Sequence, residues 1–202
     1  MPHDFGEQIA QTLERLAEVL DGLEPGEWGA PSLCSRWSVR DVVGHLVWRV
    51  GGSYGEMIRS LLPLVTLSRL SLGALTEAAS RQEGEAAGPE ELTRELRRIA
   101  DLRRAGVGRT GLGDLIETVV HSYDIVQPLG IDIEVDPEVT RHIAVRGVLL
   151  ASPDRMAVVA RHTLFAADAG WAIGRGAVIE GTARGIVLYV FGRSQLRRGD
   201  RA

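Results

Sequence analysis

The chain has 202 residues, of which 45% are hydrophobic and 25% charged, as is typical of one large or two small globular domains. Its formal charge of −4 gives no electrostatic attraction toward nucleic acid or anionic lipid, so we expect neither as a partner. Every basic side chain is arginine, which excludes Schiff-base and P-loop chemistry by lysine. The absence of both lysine and asparagine also points to a GC-rich genome.

Cysteine usage and hydropathy indicate a cytoplasmic protein. Cys34 is the only cysteine, so no internal disulfide can form. The N-terminus lacks the basic start and apolar core of a signal peptide. The most apolar stretch, residues 60–75, is interrupted by Pro63 and Arg69 and is too short to span a bilayer. Apolar residues at 58–75 are instead candidates for a helix–helix interface between two copies of the chain.

The first half of the chain predicts a series of helices. Residues 4–23 carry apolar side chains at helical spacing, with charged residues on the opposite face. A second helix begins after Ser38, an N-cap with Asp41 three residues later, and runs to about residue 60. An apolar helix then continues to about Ala79.

The next segments complete a helical region and then change character. Residues 91–104 predict a short amphipathic helix, which we set aside from the bundle. The fourth long helix covers 114–130 and stops at Pro128 and Gly130. Beyond it we expect a small α+β region, with these elements: a helix over 137–152, strands over 158–173 and 177–181 flanking the turn 174–176, and a helix capped by Thr182.

Side chains suited to metal binding occur on two of these helices. Glu117 and His121 are four residues apart and Asp124 follows three later, so all three can face one point. His45 on the second helix offers a further imidazole. Two histidines and one glutamate are the ligand set of a catalytic zinc site, in which a fourth position stays open.

Each of these residues also has an ordinary structural interpretation. Glu117, His121 and Asp124 lie opposite the apolar stripe of their helix, where polar residues usually form a solvated surface. His45 lies near Trp48 and two glycines, and a histidine in such a place is often a hydrogen-bonded structural residue. The sequence leaves both interpretations open.

Three segments carry a resemblance to a known family. WSVRDVVGHL at 37–46, preceded by Cys34, and HSYDIVQPLG at 121–130, with Glu117 upstream, resemble the two signatures of the DinB-like, mycothiol-dependent maleylpyruvate isomerase family. The segment D-x-x-W at 168–171, followed by G-R-G and a closing F-G-R, resembles its C-terminal domain.

The resemblance implies a mainly α fold: a DinB-like four-helix bundle with a long crossover over 1–130, then a small α+β domain over 131–202. It implies that His45, Glu117 and His121 bind a divalent metal, in this family zinc. It also implies mycothiol, a small thiol, as co-substrate.

Together with the ligand set, the resemblance implies a mycothiol-dependent metalloenzyme, a thiol S-transferase or isomerase, acting on a small electrophile. Asp124 would orient a ligand or move a proton, and Arg193 would bind a substrate carboxylate, unless it is only a cation at a helix C-terminus. Arg109 is another candidate anion contact, although an exposed loop residue is its simpler interpretation, and Cys34 is interpreted as a buried packing residue rather than a nucleophile. Two alternatives remain, a non-catalytic metal-binding or regulatory module and a zinc-dependent hydrolase.

Overall fold

The computed structural model describes residues 4–52 and 87–195, and the chain divides into two compact units, Met1–Glu134 and Val135–Ala202. The described residues are mainly helical, with one small sheet. The helices of the first unit are α1 (Gly6–Asp21), α2 (Val39–Gly51), α3 (Pro89–Arg104) and α4 (Leu112–Leu129), with a short 3₁₀ turn at Glu27–Gly29.

The four described helices of the first unit pack on one another around an apolar core. Helix α1 contacts α3 and α4, and α2 contacts the same two helices. Their fully buried side chains include Ile9, Leu13 and Leu16 of α1, Val42 and Leu46 of α2, Leu92, Leu96 and Ile99 of α3, and Leu115 and Val119 of α4. Setting the segment 91–104 aside was therefore wrong, because α3 is a full helix of this core.

The predicted four-helix bundle with a long crossover stays a prediction. The second helix was predicted to run to about residue 60, but α2 ends at Gly51 and is followed by an extended Gly52, because two consecutive glycines favour a helix little. The predicted apolar helix to Ala79 and the proposed interface at 58–75 lie outside the described residues. None of the helices in the described ranges is both long enough and apolar enough to cross a membrane.

The start of α2 is fixed by a capping box, as the sequence predicted. The Ser38 hydroxyl accepts a hydrogen bond from the Asp41 backbone N–H at 3.2 Å, and the Asp41 carboxylate accepts one from the Ser38 N–H at 2.8 Å. Two N–H groups that would lack partners at the helix start are thereby satisfied. The cap sets the start of the helix that carries His45.

Helix α4 is buried on more than one face. Besides its apolar stripe it buries the polar side chains of Asp114, Thr118, Ser122 and Asp124. The helix ends where Gly130 adopts a left-handed conformation with φ of 67°, which a residue without a Cβ adopts at little cost. The predicted stop at this glycine is therefore confirmed.

The described residues of the second unit form three helices and the three strands of one sheet, in the following order: α5 (Pro137–Leu150), α6 (Pro153–Arg161), β1 (His162–Ala166), β2 (Trp171–Gly174), β3 (Ala177–Gly181) and α7 (Ala183–Val190). Strand β1 lies in the middle, antiparallel to β2 and parallel to β3. Helix α5 packs against α7 and β2, where the Trp171 indole donates a hydrogen bond to the Thr140 hydroxyl at 3.0 Å.

One predicted element of this unit is wrong. The sequence predicted a strand over 158–173, but residues 158–161 are the last turn of α6 and the rest forms the hairpin of β1 and β2. Pro153 at the first position of α6, with Asp154 beside it, starts a helix that overrides the strand preference of the valines. The helix over 137–152, the second strand and the Thr182 cap are confirmed.

Replacing Ser38 by alanine tests the capping box. We expect Ser38→Ala to lower the free energy of unfolding by about 1 kcal/mol, because the Asp41 backbone N–H loses the hydroxyl that accepts its hydrogen bond. Urea denaturation of the metal-free protein measures this loss. Ser35→Ala, at an exposed position of the same loop, is the matched control and is expected to change stability by less than about 0.5 kcal/mol. Equal stability of the two variants would show that the cap contributes nothing.

Candidate metal centre

Three potential metal ligands from two helices meet at one point. Nε2 of His45 lies 3.5 Å from Oε2 of Glu117, and Nε2 of His121 lies 3.2 Å from the same oxygen. All three ligand atoms lie within 4.8 Å of one another. Donors bound at about 2 Å to a tetrahedral zinc ion are separated by about 3.4 Å, so this donor set fits a divalent cation with little rearrangement.

The packing of α2 against α4 produces this meeting. His45 lies in the middle of α2, and Glu117 and His121 are one turn apart on α4. His45 is 5% and His121 9% exposed, and Asp124 is fully buried. The interpretation of the polar side of α4 as a solvated surface is therefore wrong.

Asp124 fixes the orientation of the His121 ring. Its Oδ2 lies 3.0 Å from Nδ1 of His121, and because a carboxylate only accepts hydrogen bonds, Nδ1 is the donor. This leaves Nε2 of the same ring facing Glu117 and His45. A buried carboxylate that holds the far nitrogen of a histidine in this way is the usual support of a metal-binding imidazole.

Cys34 belongs to the same cluster, which the sequence did not predict. Its thiol donates to Oδ2 of Asp124 at 3.1 Å, and its Sγ lies 3.7 Å from Nδ1 of His121. The loop is fixed to α4 by the Leu33 N–H, which donates to the backbone carbonyl of Asp124. Cys34 is only half-buried, so its interpretation as a buried packing residue is wrong.

Cys34, His121 and Asp124 also form a second group of metal-type ligand atoms within 4.8 Å of one another. Two hydrogen-bond distances to one carboxylate oxygen already account for this arrangement. We therefore interpret it as a hydrogen-bonded support of His121 rather than as a separate cation site.

Two tryptophans surround His45. The Trp37 ring meets the imidazole edge-on with centroids 5.1 Å apart, and the Trp48 ring lies 5.9 Å away. Both indoles are half-buried. They form an apolar wall beside the ligand cluster and place fluorescent side chains next to it.

An ionic network adjoins the cluster. Nε of Arg49 lies 3.6 Å from Oε1 of Glu117, and its Nη1 lies 3.3 Å from Oδ1 of Asp114. Nε of Arg109 lies 3.2 Å from the same Asp114 oxygen. Arg109 is only 9% exposed, so its interpretation as an exposed loop residue is wrong. The sequence did not predict Arg49 or Asp114, although they lie one turn from His45 and Glu117.

The protonation of the three ligands depends on these contacts. Burial opposes ionisation of Glu117, but its contacts with His121 and His45 outweigh burial and hold its pKa well below the usual range. Burial lowers the pKa of His45 and leaves that ring neutral at pH 7. Burial alone would also lower the pKa of the other histidine, His121. Its hydrogen bonds with Asp124, Cys34 and Glu117 instead raise that pKa well above the usual value.

Arg193 lies in the second unit, two residues beyond the C-cap of α7, and its backbone N–H donates to the Leu188 carbonyl at 2.8 Å. This is the position of a cation at a helix C-terminus, the simpler of its two interpretations. Its predicted contact with a substrate carboxylate stays a prediction.

We expect zinc binding to tighten as the pH rises from about 6 to 8. Because the pKa of His121 is raised, its ring keeps a proton in this pH range, and the cation must displace that proton to bind. The affinity for zinc therefore rises by up to about tenfold per pH unit. Calorimetry in two buffers of different ionisation enthalpy measures this proton release. Asp124→Asn should release fewer protons, because the amide no longer stabilises the protonated ring. An affinity independent of pH would contradict this protonation scheme.

The chain was compared with protein families, solved structures and curated proteins. A family model described as "Mycothiol maleylpyruvate isomerase N-terminal domain" matches residues 9–123. Two solved structures match 95% of this chain and 90% of their own chains at 12% sequence identity. They are a mycothiol-dependent maleylpyruvate isomerase, with a TM-score of 0.53, and a histidine-to-alanine mutant of it, with a TM-score of 0.52. At this identity the likeness shows the fold.

No curated protein gives a significant match. The matched residues of the family model make up more than half of the chain and include His45, Glu117 and His121. The resemblance found in the sequence is confirmed: the chain belongs to the mycothiol maleylpyruvate isomerase N-terminal domain family.

Proposed function

We propose that this protein is a metal-dependent enzyme that uses mycothiol to attack a small electrophilic substrate. The observation that carries the proposal is the convergence of His45, Glu117 and His121 on one point, with the donor set of a catalytic zinc site. The family supports the thiol, because its description and those of the two solved structures name mycothiol. The electrophile would undergo S-transfer, or a cis–trans isomerisation by addition and elimination of the thiol.

Each residue of the cluster has a role in this proposal. His45, Glu117 and His121 hold the cation, and Asp124 orients His121. A bound cation supplies a Lewis acid that lowers the pKa of a thiol reaching it. Because Asp124 is fully buried and contacts the far side of the His121 ring, the orienting role suits it better than proton transfer to substrate.

The charges around the centre also favour an anionic partner. Three carboxylates, those of Glu117, Asp114 and Asp124, lie with the guanidinium groups of Arg49 and Arg109, so the group carries one net negative charge when both histidines are neutral. A divalent cation would make this group net positive by one charge. Binding of one thiolate would then neutralise it, which a neutral ligand would not do.

Removal of a ligand tests the centre itself. We expect His45→Ala and Glu117→Ala each to reduce bound zinc from about one ion per chain to a small fraction, since two donors hold the cation too weakly to survive dialysis. Atomic absorption measures the zinc, and circular dichroism checks that the helices remain. His142→Ala, at an exposed position of α5, is the matched control and should retain zinc. Full zinc content in either ligand variant would show that the ligands are assigned wrongly.

Addition of the thiol tests the proposed use of the centre. We expect mycothiol to change the tryptophan emission of the zinc-loaded protein, because Trp37 and Trp48 lie beside His45. The same titration of zinc-loaded protein with the alcohol analogue of mycothiol should give a binding signal at least about tenfold weaker, since the alcohol does not ionise. A screen of small electrophiles should show turnover only when mycothiol is present.

The two alternatives predict other outcomes. Zinc-loaded protein that does not respond to mycothiol would indicate a structural metal in a non-catalytic module. Turnover of esters or amides at the same rate without mycothiol would indicate a hydrolase that uses water. Either result would contradict the proposed function.

A further inference from the structure

We propose that Arg49 is a positioning residue that aims the carboxylate of Glu117 at the metal centre. The inference rests on the proposed function, because it concerns the same cluster of ligands. The sequence did not predict this residue, and its charge has the wrong sign for a cation site. Its role therefore has to come from its contacts.

The two oxygens of Glu117 have different neighbours. Oε2 faces Nε2 of His45 at 3.5 Å and Nε2 of His121 at 3.2 Å. Oε1 faces Nε of Arg49 at 3.6 Å, an ionic contact that is too long for a hydrogen bond. Arg49 thus occupies one side of the carboxylate and leaves the other oxygen directed at the two imidazoles.

Glu117 needs such a partner because the side chain is 30% exposed and has three rotatable bonds. Without a fixed partner, the carboxylate would exchange between several rotamers, and a cation would have to order it on binding. A ligand that is already held in place removes this cost, so the affinity for the cation rises.

Arg49 is itself held from two sides. It lies one helical turn after His45 on α2, and Nη1 contacts Oδ1 of Asp114 at 3.3 Å. Asp114 lies one turn before Glu117 on α4, is only 4% exposed, and is also contacted by Arg109. One guanidinium therefore links two carboxylates of the facing helix, which fixes both its own position and that of Glu117.

The opposing effect is charge repulsion between Arg49 and a divalent cation. If repulsion dominated, removing the guanidinium would tighten zinc binding; if positioning dominates, it weakens binding. Asp114, although it also contacts Arg109, offsets part of the charge of Arg49, which reduces the repulsion. Positioning should therefore dominate, and the sign of the change in affinity decides between the two effects.

The test is the zinc affinity of Arg49→Gln, measured by competition with a chelating dye. We expect Kd for zinc to rise by about tenfold or more, the effect typical of residues that orient a metal ligand. Arg49→Lys keeps the charge and should recover part of this loss. Arg97→Gln, which removes a surface ion pair to Asp21 between α1 and α3, is the matched control and should change Kd by less than about twofold.

A second readout separates positioning from general loss of structure. Cobalt-loaded Arg49→Gln should show an altered visible absorption spectrum even at saturating metal, because the Glu117 oxygen is no longer held in one orientation. The Arg97→Gln spectrum should equal that of the original protein. If Arg49→Gln does not fold, Arg49→Lys decides by the same two measurements, with a smaller increase in Kd expected.

Three outcomes would overturn the inference. Zinc binding by Arg49→Gln that equals or exceeds that of the original protein, with an unchanged cobalt spectrum, would show that Arg49 does not position Glu117. An unchanged Kd and spectrum in Arg49→Lys, where the glutamine variant is unfolded, would show the same. An original protein that binds no zinc would overturn this inference and the proposed function together.

Discussion

The contact between helices α2 and α4 is the constraint on which the candidate centre depends. One imidazole comes from α2, while the carboxylate and the second imidazole lie one turn apart on α4. The two α4 residues can converge through helical spacing alone, but His45 reaches them only because the apolar faces of the helices pack together. The apolar core of this unit therefore sets the geometry of its polar cluster.

The charged groups near this contact are buried in pairs rather than singly. Asp114 lies between two arginines, and Asp124 accepts hydrogen bonds from His121 and Cys34. Isolated buried charges cost several kcal/mol each, so partners of this kind are needed before a helix can bury its polar side. The same pairing gives the side chains around the ligands fixed orientations, which a site that binds a cation tightly requires.

Family membership and geometry support different parts of the proposed function. The family match covers all three candidate ligands but ends at residue 123, one residue before Asp124. The family description names mycothiol, but it does not name the features of this chain that would select a substrate. The ionic network of Arg49, Asp114 and Arg109 and the tryptophans beside His45 come from the structure of this chain alone, and these features add to the family resemblance.

The sequence alone determined the features that depend on local spacing. These include the bounds of α1, α3 and α4 to within a few residues, the start of α2 at the Ser38 cap, the stop at Gly130 and the motifs that identify the family. It did so because periodicity, capping and turn chemistry act between neighbours in the chain. The prediction of a strand at 158–161 was wrong, because the valines there favour a strand whereas Pro153 starts a helix that includes them.

Only the tertiary structure decided which distant side chains meet. Nothing in the spacing of the sequence could show that Cys34 contacts Asp124 or that Arg49 contacts Asp114. Those contacts depend on the path of a loop and on how two helices pack, which involve residues some 60 to 90 positions apart in other parts of the fold. Local sequence rules therefore placed the ligands on helices, and tertiary packing brought them into contact with their partners.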